Sequence, residues 1–497
     1  MDLPLTYGQC LRKIMQNNRL SVNTLSRKMG YHSPTQLTRI LNDEVSSTLI
    51  TKFHHQFMLI FDWLISPAEI KALSTSLQFS CLGEEQFLTR RAMFSMLFEP
   101  PPSAADSLRL CLHPGCRRCS VEDLLQAAEQ LAEIELLVLG SAFDVMLPLL
   151  SDHVTLNAPN RTLHIRHAFI MAEKPAQVVS RISMLVPYLN TNAYQGVYCT
   201  QSSEETCRFL QQNQIAVARF RASGKAWQTA ICTPPQKDGI NLCLLHGDAM
   251  YTFYERQLNT YKDQLRPIKS VYPQPKTVSS LLTLCERDLF LEQKRACFFV
   301  RLDLCFPLLP TSIVLRAVDD GARIGMTMND PLMQELCRVH EARHQNLMNK
   351  KETSMLIFSC AALLSFAHTG HMSDHLYAMR DFTPQERREV LVSLLHAVQR
   401  NPALHLHFFR NDASTPVSAF AAYEDMGMQI SANNTAYDLS NDHSEVFVGL
   451  PAFAETFSAY CANTLIPEHC LDKAESIAYL ETLIARIDGM IDQTAEP

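Results

Sequence analysis

The sequence predicts a multidomain protein: an all-α N-terminal head built on a helix-turn-helix, followed by a larger α/β region with an internal duplication. Three observations lead there. Apolar residues in 7–42 recur at the three- and four-residue spacing of amphipathic helices. Consecutive prolines at 100–102 cannot propagate a helix and hold an extended spacer. Beyond about residue 126, helical and strand-like segments alternate, twice in a similar order.

The head reads as three helices. Leu11, Ile14 and Met15 place the first over 7–17. Ser21 caps a second helix whose inward positions are Val22, Leu25 and Met29, and Gly30 supplies the positive φ that ends it. Ser33 caps a third, with Pro34 at its first position, where a missing N–H does no harm. Leu37, Ile40 and Leu41 then face inward, and Thr35, Gln36, Thr38, Arg39 and Asn42 point out. That outward set is suited to base edges: an amide pairs with adenine, a guanidinium with guanine, and a threonine meets a base edge or the thymine methyl. Ser33, Thr35, Gln36, Thr38, Arg39 and Asn42 are therefore the candidate DNA-binding residues.

Over roughly residues 8–62 this segment resembles the helix-turn-helix of the Cro/CI-type bacterial and phage repressors, carried by Leu25, Gly30, Leu37, Ile40 and the LTRILN ending. The turn GYHSP is one residue longer than the commonest family pattern, and NDEVSS stands where an acidic residue and glycine often follow the third helix. The resemblance implies a sequence-specific DNA-binding transcriptional regulator whose partner is double-stranded DNA. One such third helix buries too little surface to select a genomic site, so a homodimer is expected, with the C-terminal region sensing a small-molecule effector, mediating association, or both.

Composition agrees with a folded protein. With 497 residues, 47% hydrophobic and 19% charged, the chain has room for roughly three domains of about 150 residues. Residues 1–62 carry seven Lys/Arg against four Asp/Glu, whereas the remainder carries 37 against 47. A basic head on an acidic body suits a polyanion-binding module attached to something that does not bind polyanions. The start has no secretory pattern, and the longest apolar run, 355–367, is interrupted by Ser359 and Ser365 and falls short of the ~20 residues a membrane span needs. A cytoplasmic protein with reduced thiols, away from membranes, is expected.

The expected domains are the head at 1–65, a helical connector with Pro-rich and Cys-rich linker at 66–125, a first α/β half at 126–275, a helical insertion at 276–370 and a second half at 371–497. The duplication pairs TLHIRHAFIM, AQVVSRISMLVPYL, YQGVYC, IAVARFRASG, INLCLLHG and DAMYTFYERQLNTY with DHLYAMRDF, TPQERREVLVSLLHAVQ, LHLHFFRN, SAFAAYEDMG, EVFVGLP and AFAETFSAYCANTL. Gly224 matches Gly427, and Thr383 with Glu386 reads as a capping box. In architecture this resembles the duplicated phospholipase D superfamily. The His, Lys and Asp signature of that superfamily is missing, since the sequence offers only His246-Gly247-Asp248 in one half and Leu450-Pro451-Ala452 in the other. Phosphodiester chemistry of that type is not expected.

Other chemistry is weighed and set aside. Cys111, His113, Cys116 and Cys119 offer thiolates and an imidazole for zinc, or a redox pair beside Arg117 and Arg118. Four ligands within nine residues are crowded, and a cysteine-rich turn is the simpler reading. VHEARH places His340, Glu341 and His344 in the H-E-x-x-H spacing of zinc hydrolases. Arg343 and the polar residues after it argue instead for a solvated helix face, so hydrolysis is an alternative only; a protein-interaction adaptor is another. His368, His371 and His375 read as a polar loop after a buried helix SMLIFSCAALLSF. No phosphate-binding loop, nucleophile elbow or dinucleotide fingerprint occurs, and no metal, cofactor or catalytic residue is expected.

Overall fold

The computed structural model describes residues 3–31, 33–61, 64–98, 110–111, 133–140, 162–171, 174–189, 194–221, 224–233, 240–273, 278–293, 295–301, 304, 306–319, 331–372, 380–410, 417–432 and 444–495. The chain divides into two compact units, Met1–Ala92 with Pro175–Ser180, and Met93–Lys174 with Arg181–Pro497.

The first unit is helical: α1 (Tyr7–Asn17), α2 (Val22–Lys28), α3 (Thr35–Leu41), α4 (Ser47–Phe61), α5 (Pro67–Leu82) and the start of α6 (Glu84–Phe98). Its first three helices lie where the apolar spacing places them. Thr6 and Gln9 form a capping box on α1, and Ser66 and Glu69 form another on α5. Phe53, Phe57 and Phe61 recur every four residues of α4, so they share one stripe. Their rings stack at 6.0 and 5.0 Å, fully buried among Leu11, Ile14, Leu25, Leu37 and Ile40. Each such ring contributes about 1.5–3 kcal/mol on leaving water.

The second unit is built on two mixed sheets. The strands are β1 (Leu110–Cys111), β2 (Glu133–Leu139), β3 (Thr162–Ile170), β4 (Tyr194–Cys199), β5 (Ile215–Arg221), β6 (Gln228–Thr233), β7 (Ile240–His246), β8 (Arg266–Pro267), β9 (Ser270–Pro273), β10 (Cys297–Arg301), β11 (Ser354–Ser359), β12 (Leu404–Phe409), β13 (Val417–Tyr423), β14 (Gly427–Ala432) and β15 (Ser444–Val448). The first sheet runs β1-β7-β6-β5-β2-β3-β4-β8 and the second β12-β11-β10-β13-β14-β15-β9. In the first, β2, β3 and β4 are parallel and β5, β6 and β7 follow as an antiparallel meander beside β2. In the second, β10, β11 and β12 are parallel and β13, β14 and β15 meander beside β10. Six successive strands thus pair in the same order and direction in both sheets. The edges differ: β1 runs parallel to β7, β9 antiparallel to β15, and β8 adds a strand beside β4.

The sequence explains this layout. Parallel strands covered on both faces read as unbroken apolar runs. LLVL in β2, FFV in β10 and MLIF in β11 are such runs, and Leu136, Leu137, Val138, Leu356, Ile357 and Phe358 are buried. Parallel neighbours need long crossovers. Pro175–Leu189 lies between β3 and β4, and Cys360–Thr369 with Pro384–Arg400 lies between β11 and β12. Around the second sheet, Val390, Leu391 and Leu394 join Leu480, Leu483 and Ile487 of the helix Lys473–Ala495 in one apolar core. The tight turn from β13 to β14 passes through Asp425 (φ 62°) and Gly427 (φ 142°), where a Cβ would stand 2.2 Å from the Val448 carbonyl oxygen.

Three expectations are corrected. The stretch 276–370, read as a helical insertion, contributes β10 and β11 to the centre of the second sheet. SMLIFSCAALLSF, read as one buried helix, is β11 followed by the helix Cys360–Thr369, with the Ser359 hydroxyl accepting from the Ala362 N–H at 3.3 Å. A short apolar run has no period that separates buried strand from buried helix, and here two parallel neighbours decide. Of the segment expected as the strand DHLYAMRDF (374–382), 374–379 lie outside the described residues and 380–382 form no strand but lead into the cap of the next helix. β1, β2, β6, β8, β9 and β14 form where the sequence pattern predicts no strand.

That cap matches the expected capping box. The Thr383 hydroxyl accepts from the Glu386 N–H, and Glu386 Oε2 accepts from the Thr383 N–H at 2.9 Å. Arg380 donates to both Glu386 carboxylate oxygens at 2.8 and 2.9 Å. The Arg380 guanidinium and the cap hold the buried Glu386 carboxyl down at about 2. A folded-state value below the unfolded one stabilises above the unfolded pKa and is lost as pH falls through the folded one. We expect Glu386→Gln to cost on the order of 2–3 kcal/mol near neutral pH. In urea melts the gap to wild type should close as pH falls from about 4.5 towards 2.

Candidate nucleic-acid interface

The geometry of α3 follows from what holds the turn before it. Ser21 Oγ accepts from the Thr24 N–H at 3.1 Å at the start of α2, and Gly30 takes φ 75° just past its end. Gln56 Nε2 of α4 donates to the Met29 carbonyl at 3.1 Å, and Ser26 Oγ donates to the Ser33 carbonyl at 3.2 Å. Tyr31 stacks on Phe53 at 6.3 Å. Both ends of the turn are thus tied to buried helices. The α3 helix begins at Thr35, one residue later than expected; Pro34 has helical backbone angles, and Ser33 Oγ still accepts from the Thr35 N–H at 3.3 Å.

One face of α3 is core and the other is solvent. Leu37, Ile40 and Leu41 are buried, whereas Ser33, Thr35, Gln36, Thr38, Arg39 and Asn42 are all exposed. Thr38 Oγ1 donates to the Pro34 carbonyl at 3.0 Å, which leaves its oxygen lone pairs outward. Ser33 and Thr35 share a hydroxyl–hydroxyl bond of 2.9 Å. Arg39 reaches the Glu44 carbonyl at 3.3 Å, close to the limit for such a bond. Asn42 is more engaged: its Oδ1 accepts from the Arg12 guanidinium, and its Nδ2 lies 3.4 Å from Glu44 Oε1. Arg12, Lys13, Arg27 and Lys28 are exposed on the same unit.

Asp43 and Gly8, which sequence reading passed over, set where α3 ends. Asp43 adopts φ 57°; its Oδ1 accepts from the Gly8 N–H at 2.9 Å and its Oδ2 from the Thr6 hydroxyl. A Cβ on Gly8 would lie 2.3 Å from the Leu41 carbonyl oxygen, so α1 and α3 approach backbone to backbone. An aspartate beyond the third helix and a glycine inside the first turn of α1 were the available signals.

The other candidates fare differently. His340, Arg343 and His344 lie on the helix Pro331–Asn349 and are buried, not on a solvated face. Each imidazole bonds a backbone carbonyl: His340 Nε2 to Leu309 at 3.0 Å and His344 Nδ1 to Pro307 at 2.9 Å. Arg343 pairs with Glu292 at 2.6 Å and Asp288 at 3.2 Å. With His340 Nε2 and His344 Nδ1 each committed to a backbone carbonyl, and Arg343 on the same helix buried in an ion pair, these residues do not fit a zinc ion. Among the described residues no group of three His, Cys, Asp or Glu side chains converges as metal ligands would.

His368 and His371 are exposed, the latter beside Asp381 at 3.1 Å, while His375 lies outside the described residues. Of the four residues in the Cys-rich linker only Cys111 is described, in β1. His246 ends β7, and Asp248, 3.4 Å from Arg219, precedes the helix Ala249–Thr260. Leu450 caps the helix Pro451–Tyr460. No described helix is long and apolar enough to cross a membrane.

No protein-family model matches the sequence. No curated protein matches it either. Among solved structures, the phosphatidylserine synthase of Haemophilus influenzae Rd KW20 is similar over 82% of this chain and 98% of that chain, at 10% identity and a TM-score of 0.28. A score that low transfers neither fold nor activity.

Burial pushes the His340 imidazole down to about 4. Between about pH 6.5 and 4 the unfolded chain therefore binds a proton there that the folded chain does not, and stability falls as pH drops through that window. We expect His340→Gln, which keeps a donor for Leu309, to weaken this pH dependence by up to about 1 kcal/mol per pH unit. Urea melts between pH 7 and 4 would show it; identical slopes for both proteins would refute it.

Proposed function

We propose that the chain is a sequence-specific DNA-binding transcriptional regulator. The observation that carries this reading is α3: a short helix with one face sealed into the core and the other presenting Thr35, Gln36, Thr38 and Arg39 to solvent. These are side chains that hydrogen-bond base edges in a major groove, where the second helix of a helix-turn-helix is laid. Ser33 at the turn and Asn42, which accepts from the Arg12 guanidinium, are exposed at the two ends of α3 and would contact phosphates in this reading. The net positive head on an acidic body favours the same orientation towards DNA.

In this reading the second unit carries two duplicated α/β halves, supported by the common order and direction of β2–β7 and β10–β15. It serves as the dimerisation or effector-sensing region. One such head buries too little surface to select a site in a genome, so two heads on half-sites about one helical turn apart are required. An effector would act through its different affinity for the competent and incompetent spacings of the heads.

Selection of duplexes from a random library by the full-length protein tests the reading, with fluorescence anisotropy on the selected and scrambled sequences at two salt concentrations. Arg39→Ala and Gln36→Ala should each cost about 1–3 kcal/mol on the selected duplex and little on scrambled DNA. Equal losses on both would put these side chains on phosphates, and failure to enrich any sequence would overturn the reading. Light scattering should return a dimer on the selected duplex; a monomer both free and bound would remove the dimeric part.

A further inference from the structure

We propose that Cys199 and Cys207 form a redox pair that a hydroperoxide converts into a disulfide. Cys199 ends β4, and Cys207 lies near the start of the helix Glu204–Gln212 that follows. Their sulfurs are 3.7 Å apart, both buried in the apolar core that contains Leu137, Leu210, Val217 and Tyr251. A disulfide needs about 2 Å between sulfurs and side chains that point at one another. The second condition is met here, since the two sulfurs lie in van der Waals contact. The backbone between them is held in a tight connection, with Ser203 N–H donating to the Thr200 carbonyl at 3.0 Å and Cys207 N–H to the Ser203 carbonyl at 2.9 Å.

The environment also orders the chemistry. Cys207 is the less buried of the two. Burial, reinforced by the Cys207 sulfur, pushes the Cys199 thiol up to about 12, which makes Cys199 the poorer attacker of a peroxide and assigns it the second step. In the first step Cys207 Sγ attacks a peroxide oxygen; the O–O bond breaks, the Cys207 proton leaves with the departing alcohol or water, and Cys207 becomes a sulfenic acid. In the second step Cys199 Sγ attacks Cys207 Sγ, the S–O bond breaks, and the hydroxyl leaves as water with the Cys199 proton. Two thiols lose two electrons, and the peroxide gains them. Because the partner sulfur is already in contact, the second step competes well with further oxidation of the sulfenic acid. This site is independent of the DNA-binding reading.

Both cysteines fall in one tryptic peptide, 182–208. The native full-length protein is treated with hydrogen peroxide, quenched with catalase, denatured in N-ethylmaleimide, digested and weighed. The expected result is a peptide lighter by two hydrogens that carries no maleimide, returning to the doubly labelled form after reduction. In Cys199→Ser the same treatment should leave Cys207 as higher oxygen acids, and in Cys207→Ser it should leave Cys199 labelled. A wild-type peptide that still carries two maleimides, or a Cys207 linked to any other peptide, overturns the proposal. The wild-type mass decides the matter even if a variant fails to fold.

Discussion

The second unit depends on covering its parallel strands on both faces. Once the apolar runs of β10 and β11 lie beside β12, helices must seal them, and helices bring polar side chains with them. The helix Pro331–Asn349 buries Arg343, His340 and His344 against neighbouring chain, and each charge or ring must then find a partner, because an unpaired buried charge costs several kcal/mol. Arg343 takes Glu292 and Asp288, the two imidazoles take backbone carbonyls, and Lys350 Nζ reaches the Glu292 and Arg295 carbonyls at 3.1 and 2.6 Å. What looks like hydrolase spacing is the polar lining of an otherwise apolar seal.

The head meets a different demand. A seven-residue helix is too short to be stable alone, so α3 exists because Leu37, Ile40 and Leu41 are pinned against the stacked rings of α4 and because Ser26 and Gln56 secure the turn before it. The same pinning leaves Thr35, Gln36, Thr38 and Arg39 outward on a rigid frame. Under the proposed DNA-binding reading, a frame of that kind would let these side chains meet base edges without first ordering the backbone.

How much of this was legible in the sequence differs between the two units. The helices of the head announce themselves through apolar spacing, Ser21, Gly30 and the Ser33-Pro34 pair, all of which act within a few residues. The aspartate that ends α3 does not, because Asp43 works through Gly8 and Thr6, 35 and 37 residues away in the chain. In the sheets, the strands YQGVYC, IAVARFRASG and SAFAAYEDMG carry clear β patterns and lie where expected. β11 does not, because nothing inside MLIF separates a strand from a helix until β10 and β12 are in place.

By itself, then, the amino-acid sequence determined the local things: the caps and breaks of α1–α3, the outward set on α3, the capping box at Thr383 and Glu386, and the basic head on an acidic body. Each is set by residues within a turn or two of one another, or by composition. The tertiary structure alone decided that β10 and β11 belong in a sheet, that His340 and His344 are spent on carbonyls, and that the sulfurs of Cys199 and Cys207 touch. The physical reason is the same in each case: burial and hydrogen-bond partnership are settled by which segments become neighbours in space, and spacing along the chain carries little of that information.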